Sequence, residues 1–238
     1  MRHLILIYCY HIEVLDEFLV NCYHLLEKSN FVDIHIDFCE DTITDKVLEK
    51  IKPSRITYSI VENRGMDVLP FVKTLYDKVL FTDTYSVVTK IQSKKSDDDW
   101  RVHAYKPLVD DYEKFLNMHL YIEKFQNDDG VPLMLGTSAV LKDGESVLSG
   151  YHAFNMVKTL SDKFFHFRQN IEYGIPFFAG TMFMSSTLLF KKMFNGVNFD
   201  EFASHFEKGK PDTGYAHAME RIFGFAIREY NGKMIETQ

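Results

Sequence analysis

Two hydrophobic patterns alternate along the first ninety residues. Residues 3–10 form a nearly unbroken apolar run and read as a strand buried on both faces. Over residues 12–28, Val14, Phe18, Cys22, Leu25 and Leu26 recur at the spacing of one helical face. Phe31 to Phe38 alternates and reads as a second strand. Residues 42–51 carry Ile43, Val47, Leu48 and Ile51, a short helix ended by Pro53. Arg55 to Val61 is a third strand. Asn63 and Gly65 then make a turn, and Asp67 is placed to cap a helix carrying Val68, Phe71, Val72, Leu75 and Val79, with Pro70 in its first turn. Tyr85 to Ile91 is a fourth strand. Strands alternating with helices predict parallel βαβ units, hence an α/β fold with a mostly parallel sheet flanked by helices.

The second half is less regular. A helical pattern runs from Trp100 to about Phe125, through Leu108, Tyr112, Phe115, Leu116, Leu120 and Ile122. Asn127 to Gly130 is a loop, and residues 131–141, with Gly136, read as a strand. Residues 142–175 are mixed, a helix with loops. Phe177 to Met184 reads as a strand, and a helix follows from Thr187 to the Asn195-Gly196 signal. The last helix is expected from near Asp212 to about Tyr230. No repeat, low-complexity run or linker divides the chain. A single domain over 1–238 is expected.

Composition narrows the function classes. The 238 residues suffice for a full core, and 46% apolar with 26% charged residues is ordinary for a globular protein. The 21 Phe and 13 Tyr predict an extended aromatic core. A net charge of −7 with only local basic clusters argues against nucleic acid and for a small anion. Cys9, Cys22 and Cys39 lie among apolar residues at no zinc spacing, which predicts reduced, buried thiols in the cytoplasm. No apolar run reaches the roughly 18 residues of a membrane span, so contact with a membrane would be peripheral.

Three segments carry the chemistry. Asn63-Arg64-Gly65-Met66-Asp67 follows the third strand, and Lys90-Ile91-Gln92-Ser93-Lys94-Lys95-Ser96 ends the fourth. Polar, basic turns at the carboxyl ends of successive parallel strands suit a phosphorylated ligand. Arg64 would meet phosphate, and Asn63 or Asp67 would hold base or sugar hydroxyls. The plainer account is a solvated turn with an Asp cap. Lys90, Lys94 and Lys95 can neutralise a departing diphosphate, or form an exposed basic loop; Lys90 lies inside the strand pattern. Asp97-Asp98-Asp99 could hold a hard cation, but acids before a helix also serve its positive end. The third segment, Asp212 to Arg221, gathers Asp212, His217, Glu220 and Arg221 within ten residues.

These segments, together with Glu62 to Phe71 and Phe178-Ala179-Gly180-Thr181-Met182-Phe183, resemble the rhamnan synthesis F family over roughly residues 3–225. The chain departs from the family pattern at Met66, Gln92-Ser93 and Met184. The resemblance implies a GT-A-like fold and a glycosyltransferase that moves a sugar, rhamnose or another deoxyhexose, from a nucleoside-diphosphate donor to a growing saccharide or glycolipid acceptor. It implies a donor-binding half at about 1–100 and an acceptor-side half at about 101–238, with an acceptor side at Gly180, Thr181 and Arg221. It also implies a catalytic base just before the final helix, with Asp212 first, Glu220 second and His217 third. Lysines stand where many GT-A enzymes carry an Asp-x-Asp metal pair, so no cofactor is required on this reading, and manganese or magnesium is the alternative. Two rival functions are a non-catalytic saccharide-binding or assembly domain, and a nucleotide-sugar phosphodiesterase or other hydrolase, which would want metal ligands.

Overall fold

The computed structural model describes residues 1–51, 55–94, 98–137, 150–169, 176–209 and 214–237. The first half runs β1 (Arg2–Cys9), α1 (Leu15–Lys28), β2 (Val32–Cys39), α2 (Asp45–Glu49), β3 (Ile56–Val61), α3 (Val68–Lys78) and β4 (Tyr85–Gln92). The second runs α4 (Asp98–Val109), α5 (Tyr112–Asp129), β5 (Leu133–Gly136), α6 (Gly150–Leu160), β6 (Phe183–Ser186), α7 (Thr187–Met193), α8 (Phe199–Ala203), α9 (Tyr215–Glu229) and β7 (Lys233–Glu236). The strands form one seven-stranded sheet in the order β3-β2-β1-β4-β6-β5-β7. β1–β2, β2–β3, β1–β4 and β5–β7 pair in parallel, and β6 runs antiparallel to both β4 and β5. The protein is therefore α/β with a mostly parallel sheet, as the strand–helix alternation predicts.

The unbroken apolar runs follow from burial on both faces. Leu4, Leu6 and Val88 pack on one side with α3, α7 and α9, while Ile5, Ile7, Val87 and Ile91 pack on the other with α1, α4 and α5. The first side is strongly aromatic. Phe71 meets Phe183, Phe190 and Phe223 edge-on at centroid distances of 5.8, 5.3 and 6.1 Å, the geometry that aromatic quadrupoles favour. All three cysteines are buried and free. Among the described residues no helix is long and apolar enough to cross a membrane.

Several expected elements are corrected. The helical pattern from Trp100 to Phe125 is two helices, α4 and α5. Pro107 lies in the last turns of α4 and cannot donate to the carbonyl of His103. The Thr137 hydroxyl donates to that carbonyl instead, at 3.0 Å. Asp111 then caps α5 by accepting from the Lys114 amide at 2.9 Å. The strand expected over 177–184 begins only at Phe183; Ala179–Thr181 is a 3-10 turn. Gly180 and Thr181 there have φ of +72° and +55°, left-handed values no strand adopts. The strand expected over 131–141 is described from Leu133 to Gly136, and α9 begins at Tyr215. α8 and β7 were not expected. β7 is a short edge strand with little burial, so periodicity carries almost no signal for it.

Candidate functional site

β1, β2 and β3 are added outward in one direction, and β4 then returns to the other side of β1. In such a sheet the loops after β1 and β4 diverge and leave a crevice above the carboxyl ends. A cleft of about 380 Å³ opens there. The end of β1 contributes Tyr8, Tyr10 and His11, and the end of β4 contributes Gln92, Ser93 and Lys94. The turn after β3 adds Asn63, Met66, Asp67 and Val68. Gly180, Gly209 and the first turns of α9, with Ala216, His217 and Glu220, close the far side.

Ser93 ties the two loops at the switch point. Its hydroxyl accepts from the amides of both Tyr10 and His11 at 2.8 Å, and its own amide donates to the Tyr8 carbonyl at 3.0 Å. Gln92 donates to the Gly180 carbonyl at 2.6 Å, joining β4 to the turn before β6. Burial, followed by the neighbouring Cys39 and Asp67, pushes the Tyr8 phenol far up, so it remains a hydroxyl donor in the cleft. Trp100 backs the wall: a Cβ at Gly180 would lie 2.0 Å from its ring, and the Lys94 ammonium sits 4.5 Å from the ring centroid.

The expected donor residues divide. Asn63 and Lys94 line the cleft, while Arg64 and Gly65 are not among its lining residues. Arg64 pairs in backbone with Lys208, and its Nε lies 3.8 Å from Glu62. Gly65, at φ +62°, lets the turn pass beneath Phe206, whose ring would be 2.7 Å from an added Cβ. Asp67 reaches the cleft but does not cap α3 with its side chain, a correction to the expected N-cap. Its carboxylate turns inward and pairs with the ammonium of Lys90. Lys90 is 1% exposed and also donates to the Thr181 hydroxyl at 2.6 Å. Lys90 points inward because it shares pleat parity with Val88, on the aromatic face of the sheet. Lys95, Asp97 and Asp212 lie outside the described residues.

Glu220 and His217 are brought together on α9, with Oε2 3.7 Å from Nδ1. Arg221 donates to the His217 carbonyl at 2.8 Å, and its guanidinium lies 4.8 Å from the Phe177 ring centroid. This arrangement offers a carboxylate and an imidazole facing a lysine across the cleft, able to accept a proton on one side and neutralise phosphate on the other. Among the described residues no group of three His, Cys, Asp or Glu side chains is placed to hold a metal ion. Asp98, the middle of the Asp97–Asp99 run, pairs with Arg101. Tyr8, Tyr10 and His11 line the cleft although no sequence motif pointed to them, and Ser93 lies in the expected Lys90–Ser96 segment but was given no role of its own. The end of the first strand was the available signal, since ligands in open α/β sheets sit over the strand adjoining the switch point.

No curated protein matches the chain. Among solved structures it is similar to a 4-diphosphocytidyl-2C-methyl-D-erythritol synthase, at 14% identity and a TM-score of 0.42, covering 100% of this chain and 89% of that one. The model of rhamnan synthesis protein F matches residues 2–231, nearly the whole length. With that match added to the motifs at Asn63–Asp67, Gly180–Thr181 and His217–Arg221, the chain belongs to the rhamnan synthesis protein F family.

Proposed function

We propose that the protein is a GT-A-like glycosyltransferase acting in the synthesis of a rhamnose-containing polysaccharide, with its nucleoside-diphosphate-sugar donor in the cleft between β1 and β4. The observation that carries this reading is the cleft itself. It lies at the switch point of a mostly parallel sheet, its volume of about 380 Å³ falls in the range of small-ligand sites, and Lys94 and Glu220 both line it. The diphosphate lies toward Lys94 and the loop after β1. Rhamnose or another deoxyhexose is the sugar, and a saccharide or glycolipid acceptor approaches from α9. In the transfer, the acceptor oxygen forms a bond to the anomeric carbon as the bond from that carbon to the diphosphate oxygen breaks. The diphosphate leaves with the electron pair, neutralised by Lys94, and the acceptor proton passes to a carboxylate of the Asp212–Glu220 segment. Neutralisation by lysine makes a divalent metal dispensable.

Calorimetry with UDP, TDP and GDP tests the donor site. One of them binds, and Lys94→Ala weakens it by about ten- to a hundredfold, as expected for a charge-assisted contact. Absence of binding by all three at millimolar concentration, with and without manganese, refutes the site. Slow release of free sugar from the bound donor separates an enzyme from a binding module, and its persistence in EDTA tests the metal-free reading. Asp212→Asn and Glu220→Gln then locate the base: the right one drops transfer by about a hundred- to ten-thousandfold while donor binding holds.

A further inference from the structure

Two left-handed turns face each other across the floor of the cleft. Gly65 and Met66 have φ of +62° and +54°, and Gly180 and Thr181 have φ of +72° and +55°. In each pair the second residue has a Cβ, and Thr181 is β-branched, a residue type that avoids this region unless its surroundings hold it there. The same two turns deliver the partners of Lys90. Asp67 follows the first, and Thr181 completes the second. The Thr181 hydroxyl donates to Asp67 Oδ2 at 2.6 Å, and Lys90 donates to both. All three side chains are buried, Asp67 at 4% and Thr181 at 1% exposure.

The ammonium of Lys90 is thus satisfied by protein groups and lies beneath the cleft, among Phe71 and Phe183, with its Nζ 5.6 Å from the Phe71 ring centroid. The three segments it joins are those that shape the donor side: the turn after β3, the end of β4 with Gln92 to Lys94, and the Gly180 turn against Trp100. Burying an ion pair has a high desolvation cost, and removing one partner strands the other charge. A pair in this position therefore holds the segments in one register.

We propose that Lys90 is a positioning residue rather than a phosphate ligand: with Asp67 and Thr181 it clamps the two left-handed turns and so sets where Lys94 and the Gly180 wall stand. This rests on the donor reading above, yet one readout is independent of it. Trp100 is the only tryptophan in the chain, and it lies against Gly180 and Lys94, so its emission reports the wall without any ligand.

The experiment compares wild type, Lys90→Met, Asp67→Asn and the double variant, with folding checked by circular dichroism. Each folded single variant shifts Trp100 emission and raises acrylamide quenching, because one buried charge is left unpaired. The double variant, with no buried charge and the Thr181 hydroxyl still bonded to residue 67, returns both to wild-type values. It also keeps the ratio of nucleoside diphosphate to nucleoside affinity within about threefold of wild type, because any contact of Asp67 with base or sugar counts equally in both, whereas a lost charge-assisted phosphate contact would lower that ratio about tenfold or more. Folded single variants with unchanged Trp100 signals, a double variant that unfolds or keeps the altered signals, or one whose ratio of nucleoside diphosphate to nucleoside affinity falls about tenfold or more would each overturn the clamp. If wild type binds no nucleotide, the donor reading fails, and the Trp100 comparison still decides the clamp.

Discussion

Acidification provides a quantitative test of the packing beneath the opposite face of the sheet. His3 is fully buried, its Nε2 is 2.7 Å from the Thr89 hydroxyl, and its Nδ1 is 3.2 Å from Nδ1 of His119. His119 in turn stacks on Phe31 and places Nε2 3.5 Å from Glu123. Two ring nitrogens at that distance can share only one proton, so one must remain bare. Burial first, and then His119, holds the His3 imidazole well below its usual pKa; burial also lowers that of His119, with Glu123 opposing. The sign follows from linkage. Below about pH 6.5 the unfolded chain protonates His3 and the folded protein does not, so stability falls as pH falls. The slope approaches about 1.4 kcal/mol per pH unit for one such histidine, over the range in which the unfolded chain is protonated and the folded protein keeps the ring neutral. His119 adds less, because Glu123 offsets part of its burial. Set against a typical total of about 5–15 kcal/mol, the loss is large enough to move a urea midpoint clearly. Asp33 is opposed by burial but held below the usual carboxylate range by hydrogen bonds from Arg2 and Tyr85, and it costs stability only below about pH 4. Urea unfolding at pH 7.5, 6.5, 5.5 and 4.5 is the assay, with His3→Gln as the comparison. The variant is expected to flatten the dependence by about 1.4 kcal/mol per unit. Parallel curves for the two proteins would refute the account of the buried pair.

Gly180→Ala forces a Cβ to within 2.0 Å of the Trp100 ring at a left-handed φ of +72°. Calorimetric unfolding should show a loss of about 2–5 kcal/mol, the sum of the backbone and overpacking costs, and wild-type stability would contradict the packed wall. Ser93→Ala removes the acceptor shared by the Tyr10 and His11 amides. It should cost about 1–3 kcal/mol in urea unfolding and weaken nucleoside diphosphate binding severalfold, and an unchanged affinity would separate the loop after β1 from the donor site.

Local pattern reached as far as the four strands β1 to β4 and the helices between them. A strand buried on both faces must be apolar throughout, and an amphipathic helix must repeat every three to four residues; both constraints act within one segment. The glycine turn at residues 63–67 was legible for the same reason, since a left-handed conformation selects its own residue type. The break between α4 and α5 was carried by Pro107 and Asp111, but the apolar spacing runs on through both residues. The Gly180 turn read as a strand because its phenylalanines suit either structure, and the two features that require the glycine, its left-handed φ of +72° and the close approach of Trp100, are set by tertiary packing. The fates of the lysines show the limit most clearly. Lys90 and Lys94 are four residues apart, yet one is buried on Asp67 and Thr181 while the other lines the cleft. The parity of Lys90 with Val88 was a readable sign that it faces the core and needs an acid there. Which acid, and which hydroxyl 91 residues away, was decided by the sheet order that brings β4, the turn after β3 and the turn before β6 to one place. Sequence periodicity states which face of a segment is buried; it carries no term for the distant segment that covers it, and that pairing exists only once the whole core has packed.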